Sequence, residues 1–456
     1  MEEEISLLPR AHSLRAGNLI KIIIALTAVL IIAFTAFLGG CALDSKSWVL
    51  KTIKNNYYYY DDFNEEGLDE LSLYEIADRL DIYSEYYSAE EYAALVKENS
   101  GVRAGVGFSY SYVEGENTPC PDGGFMLMLV VGNSPAEAAG MKVGHILTGG
   151  IYDGNEVTFE GEDALSEFID PIPANVDFTL LGSEGEVYKV EKQIYNESYM
   201  FMATNNSAWT PTFTDDGELH SVAKAEGREI PYLPDGVAYF SMAQFFGTAG
   251  KEFGLLLEKF NEEHCTTLIL DLRNNGGGYV SVMQEMAGYF TSAMSNQTYV
   301  AMTAEYRNGR KEVYNCIKQK DASLVPTSTK VYVLANSGTA SASEALIGAL
   351  ISHGSLEYKN VFLSDFSDGF LDWAKGEMGT RRSYGKGIMQ TTFVNWQTGE
   401  ALKLTTAQIY WPDGTCIHGR GVTEEDGCRT VKADWLVTAN DEELQRAVDM
   451  IKADMS

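Results

Sequence analysis

Ser341 lies where a short apolar run, Val331–Leu334, gives way through small residues to a second apolar run beginning near Ser343. That pattern predicts a strand, a tight turn and a helix. Such a turn holds a side chain out at the edge of a sheet and aims helix N–H groups at an anion. Ala340 and Ala342 flank the hydroxyl, so little bulk blocks access to it. Serine is also a favoured helix N-cap, which gives the same residue a purely structural reading. A serine hydroxyl becomes a nucleophile only where a base takes its proton.

Two kinds of base are available. The histidines beyond residue 41 are His145, His220, His264, His353 and His418, and only His418 lies in a glycine-rich loop, Cys416–Gly421. None sits in a pattern pairing a base with an orienting carboxylate. The other candidate is Lys386, held between Gly385 and Gly387 at the start of a predicted strand. A lysine base must be neutral, and its ordinary pKa is about 10.4. Burial away from any carboxylate supplies the required shift. Gln390, four residues on, alternates onto the same strand face, and a neutral amide can orient an amine without restoring its charge.

A third stretch, Asp271-Leu272-Arg273-Asn274-Asn275-Gly276-Gly277-Gly278, follows a buried apolar run and precedes a helix predicted from about Tyr279 to Phe290. Triple glycine lets backbone approach a ligand closely. The nucleotide-binding patterns are absent, which leaves an oxyanion-binding loop. No H-E-x-x-H and no C-x-x-C spacing is present, so neither a metal nor another cofactor is expected. The six cysteines read as scattered thiols, although Cys416 and Cys428 could pair across a loop. Ser221 and Lys224 fit S-x-x-K, but they sit in a charged stretch without a preceding strand.

The elements that must position these residues alternate between strand and helix from Gly236 onward. Strands are predicted over Val237–Met242 and Thr267–Leu272, with an amphipathic helix over Ala249–Asn261 and another over Asp441–Met455. That alternation gives an α/β class. Asn196–Pro234 reads as a polar connector with one hairpin. Residues 101–195 read as a small β-rich module with two short helices, and 42–100 as a small helical domain.

The Gly105-Val106-Gly107-Phe108 loop and the run from Ser134 to Leu147 resemble a PDZ domain. That resemblance implies that the loop N–H groups of Gly105 to Phe108 hold a peptide carboxylate, with Glu162–Ile169 lining the groove. Asp271–Gly278, Gly338–Glu344 and Gly385–Gln390, with Leu80-Asp81-x-Tyr83-Ser84 and Leu404–Ala407, together resemble the S41 family of serine peptidases, the C-terminal processing or tail-specific proteases. The resemblance covers roughly residues 45 to 455. It implies a crotonase-like β-β-α protease core and peptide-bond hydrolysis by a Ser-Lys dyad. Ser341 would be the nucleophile, Lys386 the base and then acid, Gln390 the orienter, and Gly278 and Ala342 the oxyanion-hole N–H donors. Two departures stand out. Lys386 lies 45 positions after Ser341, longer than usual for the family, with Asp365–Ser383 as an apparent insertion. Gly276 stands where the family commonly has proline.

The net charge of −31 argues against nucleic acid as a partner. Ile22–Gly40 is an uncharged run of 19 residues preceded by Arg10, Arg15 and Lys21, long enough to span a bilayer with the remainder exported. It reads as a retained membrane anchor, with cleavage or lipidation at Cys41 as the other fate. The expected organisation is a stub and anchor over 1–41, the helical domain over 42–100, the PDZ domain over 101–195 and the protease core over 196–456. The expected function is a membrane-bound, extracytoplasmic serine endopeptidase acting on protein substrates recognised through their C-termini. The alternative is a non-catalytic PDZ peptide-binding protein on a protease-like scaffold.

Overall fold

The computed structural model describes residues 44–115, 120–214, 216–291, 299–319, 324–366, 381–433 and 441–455. The Ile22–Gly40 run and Cys41 lie outside them. Among the described residues no helix is long and apolar enough to cross a membrane, and the five described cysteines, including Cys416 and Cys428, are unpaired.

An eight-stranded sheet forms the centre. Val237–Met242, Thr267–Asp271, Lys330–Ala335, Val361–Asp365 and Arg429–Lys432 lie side by side and parallel. Both faces of these strands are covered, which is why they are near-continuous apolar runs. Alternate residues go to opposite faces. Ala238, Phe240, Leu268, Leu270 and Val333 pack under the helices Ala249–Glu262, Val280–Gly288 and Ala342–Ser352. Val237, Tyr239, Ile269, Tyr332 and Leu334 pack against the C-terminal helix Glu442–Met455.

The expected polar connector is a correction. Met200–Ala203, Ala208–Phe213 and Leu219–Lys224 extend the same sheet in antiparallel order beyond Val237–Met242. Pro211 disguised the middle strand. It is tolerated because the pairing with Met200–Ala203 stops at Ala208 and Trp209, so the prolyl nitrogen faces no ladder there.

A second sheet carries Ala401–Tyr410 at its heart, paired with Ile388–Val394, Val300–Tyr306 and Glu85–Tyr87. The last of these comes from the N-terminal segment. That segment holds helices Ser45–Asn56, Leu73–Ala77 and Ala89–Asn99. Its core residues Val49, Ile53 and Ile76 pack with Leu402 and Leu404, so it shares one core with this sheet.

Residues 102–196 form a module with a core of its own, centred on Phe125, Leu127, Leu147, Leu165 and Leu180. Its six-stranded antiparallel sheet has Phe108–Val113 at one edge. Two short helices, Pro135–Ala138 and Ala164–Ile169, accompany it. The chain enters and leaves through a two-stranded ribbon, Val102–Gly105 with Gln193–Asn196.

Candidate active site

Ser341 is the residue that turns strand Lys330–Ala335 into helix Ala342–Ser352. Its backbone sits at φ 59°, ψ −115°, a region that costs a side-chain-bearing residue about 1–3 kcal/mol. Neighbouring hydrogen bonds hold it there. The Ala340 N–H donates to the Asn275 carbonyl at 3.0 Å. The Ser343 hydroxyl donates to the same carbonyl at 2.9 Å, and the buried Asn275 amide is fixed in turn on the Met242 carbonyl at 2.9 Å. The glycine loop is thereby locked against the serine turn.

Two glycines show how close that approach is. A Cβ on Gly277 would lie 2.8 Å from both the Ala340 carbonyl oxygen and the Ala342 nitrogen. Gly278, at φ +147°, would place one 2.4 Å from the Phe245 carbonyl oxygen. The Gly278 and Ala342 N–H groups donate to no described residue.

Glu344 joins the serine turn to the lysine loop. Its carboxylate is fully buried and accepts from the Ser341 N–H at 3.0 Å, the Ser383 hydroxyl at 2.5 Å, the Gly385 N–H at 2.7 Å and the Lys386 N–H at 2.8 Å. Burial pushes its pKa up, opposed by those donors. Lys386 therefore meets Glu344 through its backbone. Its amine makes no ion pair with a described residue and lies 4.4 Å from the centre of the Tyr83 ring. Burial first, and the Lys403 charge second, pull the amine down to about 8, against weaker opposition from Asp81 and Glu344. The long interval before Lys386 does not displace it. Asp365 and Arg381, near the two ends of the inserted stretch, are paired at 2.9 Å, so the chain leaves and returns at one point.

Ser341, Ala342, Gly278, Lys386 and Gln390 all line one cavity of about 600 Å³. Tyr92, Leu95, Val96 and Asn99 of helix Ala89–Asn99 wall one side, and Met283, Met302, Trp411 and Ile417 are among its apolar lining. The Gln390 amide donates to the Thr405 hydroxyl at 3.1 Å, and no hydrogen bond joins it to Lys386 or Lys386 to Ser341. The arrangement sets a hydroxyl, a dehydrated amine and two unengaged N–H groups around one space, the parts needed for acyl transfer.

His418 is not brought into this arrangement. Its Nε2 lies 3.3 Å from the Tyr59 hydroxyl, so the alternative base is turned toward the N-terminal segment. Ser221 bonds the Thr212 hydroxyl at 2.8 Å, and Lys224 lies over Trp209. In the loop Gly105–Phe108, the N–H groups of Val106 and Gly107 donate to no described residue, while the two carbonyls accept from Ala136 and Val131. Sequence reasoning placed Glu344, Asn275 and Tyr83 within the quoted motifs but gave them no role. The serine-to-glutamate spacing of a capping box was the available signal for Glu344.

The sequence profile of Peptidase family S41 matches residues 236–356 and 375–426, the two stretches that carry the serine and the lysine. Over these two stretches the chain is similar to peptidase family S41. A CtpA-like serine protease of Staphylococcus haemolyticus is 25% identical over 376 residues, covering 82% of this chain and 62% of that protein. One from Staphylococcus saprophyticus is 28% identical over 221 residues, covering 47% and 39% respectively. The chain thus spans less than two thirds of either relative's length. A solved structure from Bacteroides fragilis assigned to the S41 proteases superposes with a TM-score of 0.56 at 15% identity, over 90% of this chain and 98% of that one. That likeness is one of fold, a mixed α/β arrangement shared with an S41 chain.

Proposed function

We propose that this chain is a serine endopeptidase of the C-terminal processing type, with Ser341 as nucleophile and Lys386 as base. The observation that carries the reading is the pairing, across one cavity, of a serine on a strained turn with a lysine amine that has no carboxylate partner among the described residues. In acylation the Ser341 hydroxyl proton passes to the neutral Lys386 amine as the oxygen bonds to the scissile carbonyl carbon. The resulting oxyanion accepts from the Gly278 and Ala342 N–H groups. Collapse breaks the C–N bond, and the Lys386 ammonium returns the proton to the departing amine. Water then repeats the sequence on the acyl-enzyme. Gln390, fixed on Thr405, orients the amine from strand Ile388–Val394, which begins two residues after the lysine.

The module over 101–195 acts as a PDZ domain. The edge position of Phe108–Val113 supports addition of a substrate's C-terminal strand. The Val106 and Gly107 N–H groups, with Gly105 and Phe108 beside them, take its carboxylate. The Ile22–Gly40 run anchors the chain, placing the cavity on the extracytoplasmic side.

The test is hydrolysis of an unstructured protein by the wild type, Ser341→Ala and Lys386→Met. Loss of at least roughly 10³-fold in both variants, with folding intact, is expected. Undiminished turnover in Ser341→Ala removes the nucleophile. C-terminal peptide binding without any cleavage by the wild type returns the protein to the peptide-capture reading.

A further inference from the structure

The far wall of the cavity is built by the N-terminal segment, outside the stretches matched by the S41 profile. A tight turn over Asp81–Ser84 forms it. The Tyr83 N–H donates to Asp81 Oδ1 at 2.9 Å, and the Ser84 N–H to the Asp81 carbonyl at 3.0 Å. The turn is docked on the second sheet, because the Thr405 N–H donates to the Ser84 hydroxyl at 3.0 Å. Thr405 is also the residue that accepts from Gln390. The ring of Tyr83 is fixed at its far end too. Its hydroxyl lies 2.8 Å from that of Tyr384, two residues before Lys386. A ring held at both ends presents its face to the Lys386 amine at 4.4 Å. In the same turn Asp81 Oδ2 is buried without a hydrogen-bond partner.

We infer that Tyr83 is a positioning residue that seats the Lys386 ammonium on its ring face, with the Asp81 carboxylate as the uncompensated negative charge behind it. This rests on the Ser341–Lys386 reading above. A lysine base faces two opposed demands. It must be neutral to accept the serine proton, yet the ammonium it becomes must be stabilised until the leaving amine takes that proton back. A carboxylate in contact would meet the second demand and ruin the first. A ring face stabilises a desolvated cation by only about 0.5–2 kcal/mol, enough to hold the charged form without fixing it. Among the described residues, Asp81, Tyr83, Glu344 and Lys403 bring a charge or a titrating proton to bear on the amine. Asp81 and Tyr83 come from the turn, Glu344 from the serine helix and Lys403 from strand Ala401–Tyr410. Lys403 is engaged elsewhere, on Glu85 at 3.1 Å and the Tyr87 hydroxyl at 3.0 Å. Glu344 is saturated by its four donors. The turn is therefore the element left to stabilise the ammonium, against the Lys403 charge that favours the neutral amine.

The test is the titration of the Lys386 side chain in the full-length chain carrying 13Cε-lysine, on a Ser341→Ala background, with the resonance assigned by its loss in Lys386→Met. Tyr83→Leu keeps bulk and removes the ring face. It should lower the Lys386 pKa by about half a unit to one and a half units. In otherwise wild-type protein it should move the acid limb of kcat/KM the same way and reduce kcat roughly 3- to 30-fold. Tyr83→Phe keeps the face and gives up only the Tyr384 contact, so it should leave both titrations in place. A Tyr83→Leu protein that folds and shows an unchanged or raised Lys386 pKa overturns the seat, as does a Phe variant that shifts as far as the Leu variant. If the resonance moves as expected but the wild type cleaves nothing, the seat stands and the peptidase reading fails. If cleavage depends on Ser341 while the Leu variant titrates normally, the reverse holds.

Discussion

Two buried charged clusters flank the central sheet, and they handle their cations in opposite ways. Behind the glycine loop, Arg273 pairs with Asp271 at 2.6 Å, Asp441 at 2.6 Å and Glu443 at 3.1 Å. The Tyr239 hydroxyl donates to the same Asp271 oxygen, and the Ser364 hydroxyl to the other oxygen of Glu443. Burial raises the Asp441 pKa but Arg273 overrides it, leaving it below the usual carboxylate value. At the cavity, Glu344 is surrounded by N–H and O–H donors alone, and the nearby Lys386 amine is given a ring instead of a carboxylate. The rear cluster fixes the C-terminal helix to the sheet through saturated pairing. The front cluster fixes backbone to backbone and keeps its cation unpaired, so that the amine can lose its proton near neutral pH.

Removing each cation should therefore change stability with opposite sign. Arg273→Met leaves three carboxylates without their partner and should cost about 3–5 kcal/mol, read from the denaturant midpoint. Lys386→Met should stabilise the fold at pH 7. The amine's folded pKa of about 8 lies below its ordinary 10.5, so the unfolded chain binds the proton more readily. The cost to the native state is fully present below about pH 8 and fades as pH rises toward 10.5. The gap corresponds to at most about 3 kcal/mol. A Met variant less stable than wild type at pH 7, or equally so at every pH, would break the contrast.

Glu344→Gln replaces an acceptor-only group facing four donors with one that carries its own N–H. It should cost about 1–3 kcal/mol and, by loosening both the serine turn and the lysine loop, about 100-fold in turnover. An unchanged rate would reduce Glu344 to a structural cap. The smallest effect concerns the strained turn. Ser341→Gly should be about 1 kcal/mol more stable than Ser341→Ala, since only glycine relaxes at φ 59°. Equal thermal midpoints would show that the turn stores nothing.

Much of this site was legible because its parts are local patterns. The Asp271–Gly278 run, the small residues around Ser341 and the glycines around Lys386 each announce close backbone approach. The parallel strands were legible as continuous apolar runs, with ends shifted by a residue or so. What stayed hidden depends on contacts distant in sequence. Glu344 reads as an ordinary first-turn glutamate, and only the fold reveals that Gly385 and Lys386 return to it. Tyr83 lies some 300 positions from the lysine it faces, and nothing in its sequence neighbourhood, rich in other tyrosines, singles it out. The three antiparallel strands over 200–224 were obscured by Pro211 and by turn residues, and the outermost, Leu219–Lys224, is an edge strand that needs no apolar run.

The central claim is that Lys386 ionisation controls the nucleophilicity of Ser341, and pH-dependent labelling by a serine-directed acylating probe tests it most directly. The account predicts a single adduct, mapped to Ser341 by mass spectrometry. Its rate of formation should rise through about pH 8 with loss of one proton and fall at least roughly 10³-fold in Lys386→Met. Labelling of another residue, or a Ser341 rate that is flat across that pH range and unaffected by the Met substitution, would contradict it.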